Sequence, residues 1–143
     1  MSSKPQSQSK SQTQEIPSEV QFLERFRCVE RREQEQGKRK DYIVYNCDAY
    51  MKVNKDNIRQ VIEEALTVAT QLNAVIRLFR VIQLTPTHSV SITVTRGGMI
   101  SVDIRFPPRV GGFQNVLTIR VDEISVLKTL VDQLSELVQN LVA

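Results

Sequence analysis

Six arginines in the second half of the chain are the residues best suited to binding a charged partner. They are Arg77, Arg80, Arg96, Arg105, Arg109 and Arg120. Between residues 77 and 121 the only acidic residue is Asp103, so this stretch has a net charge of +5 in a chain of net charge +3. A guanidinium group binds phosphate through two parallel hydrogen bonds and also stacks on flat rings. The stretch therefore predicts a surface that binds a polyanion.

Aromatic side chains near these arginines suggest that the polyanion is a nucleic acid. Phe113 lies in a glycine-containing loop, Tyr42 and Tyr45 lie in a short β-branched segment, and Tyr50 follows it. Proteins that bind single strands combine a cationic groove with rings on which the bases stack. We therefore predict that Phe113, Tyr42 and Tyr45 stack on bases while the six arginines hold phosphates.

The sequence contains few groups that could perform catalysis. His88 is the only histidine, and the motifs GxxxxGK[ST], GxGxxG, HExxH and GxSxG are all missing. Cys28 and Cys47 have no CxxC spacing, and we expect them to be reduced. We predict a binding protein rather than an enzyme, with no cofactor, no metal and no small-molecule substrate.

The elements that position these residues can be inferred from the spacing of apolar side chains. One helix is predicted to begin near Ser18 and to run for about five turns toward Gly37. A second helix is predicted from Ile58 as far as Leu84, with a break near Asn73. Alternating patterns then predict strands at 42–45, 90–94, 100–106 and 117–121, with a hairpin turn at Gly97-Gly98.

These elements predict an α+β domain over residues 17–121. Its four-stranded, mostly antiparallel sheet is covered by helices on one face, and the other face carries Ser, Thr and Arg. Residues 1–16 are rich in Ser, Gln and Lys, and we predict a disordered tail there.

Residues 122–143 repeat apolar side chains at the spacing of a leucine zipper. The steps of 3, 4, 3, 4 and 3 place β-branched residues at each a position and leucine at each d position, at Ile124, Leu127, Val131, Leu134, Val138 and Leu141. This combination favours parallel two-stranded coiled coils. It predicts a homodimer, whereas packing of the same helix on its own sheet is the alternative that Leu130 and Leu137 leave open.

The order of these features resembles the ThermoDBP family, single-stranded DNA-binding proteins of thermophilic crenarchaea that lack the usual OB-fold protein. The similarity covers roughly residues 17–143 and comprises a helical first half, the hairpin at Gly97-Gly98, an arginine-bearing sheet and the terminal zipper. It implies a four-stranded sheet with helices, a hydrophobic cleft flanked by basic residues, and dimerisation through the zipper.

The expected function is sequence-independent binding of single-stranded DNA by a dimer that protects exposed strands. Two alternatives stay open: a dimer that binds RNA or double strands, and a structural adaptor whose zipper recruits a protein. No run of 18 or more apolar residues occurs and the N-terminus has no apolar signal segment, so we expect no membrane association and a cytoplasmic location.

Overall fold

The computed structural model describes residues 16–34, 41–107, 109 and 112–142. In the last helix it describes side chains as far as Leu134, together with that of Glu136. Apart from Ile16, the predicted disordered tail of residues 1–16 lies outside these ranges.

Three α-helices and six strands make up the described part of the chain. In chain order they are α1 (Ser18–Arg25), β1 (Val29–Gln34), β2 (Asp41–Asp48), α2 (Ile58–Leu72), β3 (Ala74–Gln83), β4 (Ser89–Val94), β5 (Met99–Arg105), β6 (Phe113–Arg120) and α3 (Val126–Val142). The strands form one sheet in the order β1-β2-β3-β4-β5-β6. Neighbouring strands are antiparallel except β2 and β3, which are parallel.

Helix α2 connects the two parallel strands and supplies much of the core. Its apolar residues recur at steps of three and four, and Ile58, Ile62 and Ala65 are fully buried. The helix ends at Asn73, whose φ of 51° is left-handed, and the chain then continues directly as β3. Asparagine tolerates this conformation better than most residues, so it is well suited to a helix end.

All three helices cover the same face of the sheet, which we call the helix face. A single apolar cluster joins helix residues such as Phe22, Ile62 and Leu127 to strand residues such as Ile92 and Val102. Because side chains alternate along a strand, the other side chains of the same strands point to the opposite side, which we call the open face.

The domain is α+β, as the sequence indicates, but the predicted four-stranded sheet is wrong. The four predicted strands are present as β2, β4, β5 and β6, whereas the sequence predicts helix where β1 and β3 lie. Helix α1 ends at Arg25, and the charged run that follows forms β1, an edge strand with mostly exposed side chains. Charged side chains suit an edge strand because they discourage pairing with other chains.

The predicted coiled-coil helix is also wrong. Helix α3 has 17 residues, and Ile124, Leu127, Val131 and Leu134 are only 1–4% exposed because they pack into the core of their own domain. Ion pairs of Lys128 with Asp56 and of Asp132 with Lys55 hold this helix beside the start of α2. Residues that fill the core cannot also form a seam with a second copy. The side chains of Val138 and Leu141 lie outside the described ones.

The expectation of two reduced cysteines is wrong as well, because a disulfide joins Cys28 and Cys47. Cys28 directly precedes β1, where Val29 pairs with Asn46 of β2, so Cys28 lies opposite Cys47. The sequence separation is 19 residues. The bridge therefore fastens the start of the edge strand to the sheet.

Candidate nucleic-acid interface

The open face carries a groove whose floor consists of small polar side chains. Ser91 and Thr93 of β4 lie beside Ser101 and Asp103 of β5 because Ser91 pairs with Asp103 and Thr93 with Ser101. Longer side chains stand around this floor and enclose a cavity of about 320 Å³; they are Arg77, Arg105, Phe113 and Asn115. The groove thus crosses four strands, β3 to β6, which at ordinary strand spacing is about 14 Å.

At one end of the groove, the guanidinium of Arg105 lies against two aromatic rings. Its Cζ atom is 5.3 Å from the centre of the Phe79 ring and 4.9 Å from that of the Phe113 ring. Arg105 and Phe113 face each other across β5 and β6, and the Phe113 side chain is 58% exposed. Within the described residues Arg105 forms no ion pair, so its charge is available to a partner.

A second cation–aromatic contact lies at the same end of the sheet. The Cζ atom of Arg80 is 4.8 Å from the centre of the Tyr50 ring, and its Nη2 atom is 3.2 Å from Oδ1 of Asp48. Asp48 pairs with Phe79, so the two contacts are neighbours. We call Tyr50, Arg80, Phe79, Arg105 and Phe113 the stacked row.

Arg80 reaches this position because β3 bulges there. Its φ of 56° is left-handed, and the pairing with β4 shifts register between Leu78 and Ile82. The backbone N–H of Arg80 donates to Oγ of Ser91, 3.3 Å away. Because residues 79–81 of β3 lie opposite Ser91 alone, the consecutive side chains of Phe79 and Arg80 both belong to the stacked row.

Arg77 lines the middle of the groove and is partly neutralised. Its Nη1 atom is 3.5 Å from Oε2 of Glu33 on β1 and donates to Oδ1 of Asn46 at 3.4 Å. The hydroxyl of Tyr42 donates to the other oxygen of Glu33 at 3.3 Å. Tyr42 therefore lies at this interface, where it helps to hold the carboxylate.

Asp103 is the one acidic residue among those that line the groove. Its side chain is held by Asn115 of β6, whose Nδ2 atom donates to Oδ1 at 3.0 Å. These two residues are paired across β5 and β6.

Of the predicted binding residues, Arg77, Arg105 and Phe113 meet in the groove, and Arg80 joins them in the stacked row. Three exposed arginines lie elsewhere: Arg96 follows β4 at the hairpin turn, Arg109 lies between β5 and β6, and Arg120 pairs with Met99 at the far end of those strands.

Tyr45 does not belong to this interface. It packs against the core on the helix face, and its hydroxyl donates to Oε1 of Glu30 at 3.2 Å. Burial, together with the hydrogen bond and the negative charge of Glu30, raises the pKa of Tyr45 above its usual value. The structure therefore does not bring Tyr45 together with the other predicted base-stacking residues.

Phe79, Asp103 and Asn115 are residues of the interface that the sequence reasoning missed. Phe79 follows Arg77 by two residues, which is the spacing of neighbours on one face of a strand. That signal was hidden because residues 73–84 also fit a helical spacing.

Comparison with known proteins identifies no relative of this chain: no family model, no curated protein and no solved structure matches it. The resemblance to the ThermoDBP family accordingly stays a prediction. In the described part of the chain, no helix has the length and apolar character needed to cross a membrane. Among the same residues, no three His, Cys, Asp or Glu side chains are grouped as a metal site would require.

Proposed function

We propose that the open face binds single-stranded DNA without requiring a fixed sequence. The observation that carries this proposal is the guanidinium of Arg105, which has no ion pair among the described residues and lies against the rings of both Phe79 and Phe113. A guanidinium beside aromatic rings offers donors for a phosphate next to surfaces on which a base can stack.

The geometry favours a single strand over a duplex. In a duplex the bases are stacked on each other, so their faces cannot reach an aromatic ring on a protein surface. In a single strand the bases are free to stack on Phe113 and Tyr50, both of which are exposed. The stacked row lies within one chain, so this function requires no second copy.

We also propose a cytoplasmic location, and the disulfide limits the kind of organism in which that location is expected. Disulfides are rare in the cytosol of mesophiles but are frequent inside hyperthermophilic archaea. The bridge between Cys28 and Cys47 is therefore compatible with a cytoplasmic DNA partner in an organism of the type that the ThermoDBP resemblance implies.

Fluorescence anisotropy tests the proposal with single-stranded DNA, duplex DNA and RNA of matched sequence. We expect the single strand to bind more tightly than the duplex, with an affinity that falls steeply as the salt concentration rises. Arg105→Ala should lower the slope of log affinity against log salt by about 0.7, the value for one phosphate contact on a single strand. Arg59→Ala, on the outer surface of α2, makes the same charge change and should leave the slope unaltered.

Phe113→Ala provides a second, uncharged test. Loss of one stacked base should weaken binding about 5- to 150-fold, since base stacking contributes about 1–3 kcal/mol. Val126→Ala removes an exposed apolar side chain from α3 and is the matched control.

Other results would replace this proposal. Tighter binding of the duplex, or of RNA, would assign the groove to that partner. Absence of binding to all three would favour the adaptor alternative.

A further inference from the structure

The carboxylate of Asp103 is an unusual group to find in a groove that binds nucleic acid. The residue is only 8% exposed, yet its side chain lines the groove. Asn115 donates to Oδ1, and no donor from the described residues reaches Oδ2. No ion pair joins Asp103 to Arg77 or Arg105, although both arginines line the same cavity. A mostly buried carboxylate therefore lines the groove, and its Oδ2 atom has no hydrogen-bond donor among the described residues.

A phosphate group cannot be the partner of this oxygen, because two negative charges repel each other. In a single strand the bases donate hydrogen bonds through the exocyclic amino groups of cytosine, adenine and guanine, and through the ring N–H groups of thymine and guanine. The ring N–H of thymine lies between two carbonyl oxygens, which are acceptors and repel an approaching carboxylate, whereas no carbonyl oxygen adjoins the amino group of cytosine or adenine. A carboxylate such as that of Asp103 thus favours an amino-bearing base over thymine.

We propose that Asp103 accepts a hydrogen bond from the amino group of a bound base and makes the groove favour amino-bearing bases over thymine. This inference rests on the proposed binding of single strands and refines it. The result is a graded preference for base composition rather than a recognition sequence. Asn115 acts as a positioning residue, because its amide fixes the carboxylate and leaves Oδ2 as the acceptor.

The test compares oligo(dC), oligo(dT) and oligo(dU) of equal length in the same buffer. Cytosine has an amino group and an acceptor at N3 where uracil has a carbonyl oxygen and an N3–H, and thymine adds only a methyl group to uracil. The three strands therefore separate the effect of this base edge from that of the methyl group. We expect oligo(dC) to bind about 5- to 10-fold more tightly than the other two, toward the lower end of the discrimination that one good base contact gives.

Asp103→Asn tests whether this residue is the cause. The variant keeps an oxygen that accepts from Asn115, so the fold is retained, and its amide can both donate and accept. We expect the ratio of dC to dT affinity to fall to about one, mainly because oligo(dT) binds more tightly. Asp122→Asn makes the same charge change in the turn before α3 and should leave the ratio unchanged.

The outcomes separate this inference from the proposed function. Equal affinities for the three strands in the native protein, or a preference that persists in Asp103→Asn, would overturn the inference and leave single-strand binding intact. Oligo(rC) and oligo(rU) that bind equally well, and both more tightly than DNA, would assign Asp103 to the ribose 2′-hydroxyl instead. Failure of every strand to bind would overturn the proposed function itself.

Discussion

Glu33 of β1 and Arg77 of β3 form an ion pair on the open face, with 3.5 Å between Oε2 and Nη1. Strand β2 lies between them, so the contact reaches across one strand of the sheet. In the proposed function this ion pair would compete with a phosphate of the bound strand for the guanidinium of Arg77. Glu33 would thus lower the positive charge that the groove offers to that strand.

Glu33→Gln is expected to strengthen the binding of single-stranded DNA. Partly exposed ion pairs contribute about 0.2–1 kcal/mol, so release of Arg77 should tighten binding about 1.5- to 5-fold. The salt slope should rise by up to about 0.7, because one more phosphate contact becomes available. Anisotropy titrations at several salt concentrations measure both quantities.

Glu63→Gln is the control for this change. Glu63 pairs with Arg59 on α2, on the other side of the sheet, and its replacement alters the net charge equally. An equal gain in affinity for the two variants would mean that only net charge matters and that the ion pair does not restrain Arg77.

The sequence predicted four of the six strands and much of α2 because their patterns are regular. It failed for β3, where the bulge at Arg80 is the cause. Before the bulge the buried residues Ala74, Ile76 and Leu78 follow one another at steps of two. Across the bulge the next buried residue is Val81, three positions after Leu78. Val75, Ile76, Phe79 and Ile82 recur at steps of three and four, which fits one face of a helix, so periodicity alone could not separate the two structures.

The arginines of the interface were predictable from composition, but their grouping was not. Arg105 is half-buried and Arg120 is exposed, and both lie at outward positions of the alternating pattern in the paired strands β5 and β6. That pattern suggests that the two arginines act together. The register shows the opposite: Arg105 pairs with Phe113 at one end and Arg120 with Met99 at the other. The stacked row depends on the bulge and on that register, neither of which the sequence specifies by itself.

Leu127→Ala tests the finding that α3 belongs to the core of its own domain. Leu127 is 1% exposed, and removal of a buried leucine side chain lowers the free energy of unfolding by about 2–5 kcal/mol. Val126→Ala on the exposed side of α3 should change it by less than about 0.5 kcal/mol. Urea denaturation measures the free energy of unfolding of both variants. If α3 packs within its own chain, the midpoint of the transition should not depend on protein concentration. A midpoint that rises with concentration would show that folding is coupled to association.

The disulfide between Cys28 and Cys47 is expected to stabilise the domain. Closure of a loop with a sequence separation of 19 residues corresponds to about 3 kcal/mol in the chain-entropy description. Cys28→Ser with Cys47→Ser should therefore lower the free energy of unfolding by about this amount in urea. Affinity for single-stranded DNA should not change, since Cys47 belongs to the core on the helix face. Two free thiols detected in the folded native protein would contradict this assignment.

The raised pKa of Tyr45 predicts a loss of stability in alkaline solution. Burial, the hydrogen bond to Glu30 and the charge of Glu30 all favour the neutral phenol in the folded protein. In the unfolded chain a tyrosine ionises near its ordinary pKa of about 10. The contribution of the neutral Tyr45 to stability is therefore fully present below about pH 10 and is lost as the pH rises through the higher pKa of the folded state.

Urea denaturation over this pH range should show the decline in stability, and Tyr45→Phe should make the decline shallower, because phenylalanine cannot ionise. Glu30→Gln should reduce it only in part, since burial would still raise the pKa of Tyr45. An identical alkaline decline in the native protein and in Tyr45→Phe would mean that another group is responsible.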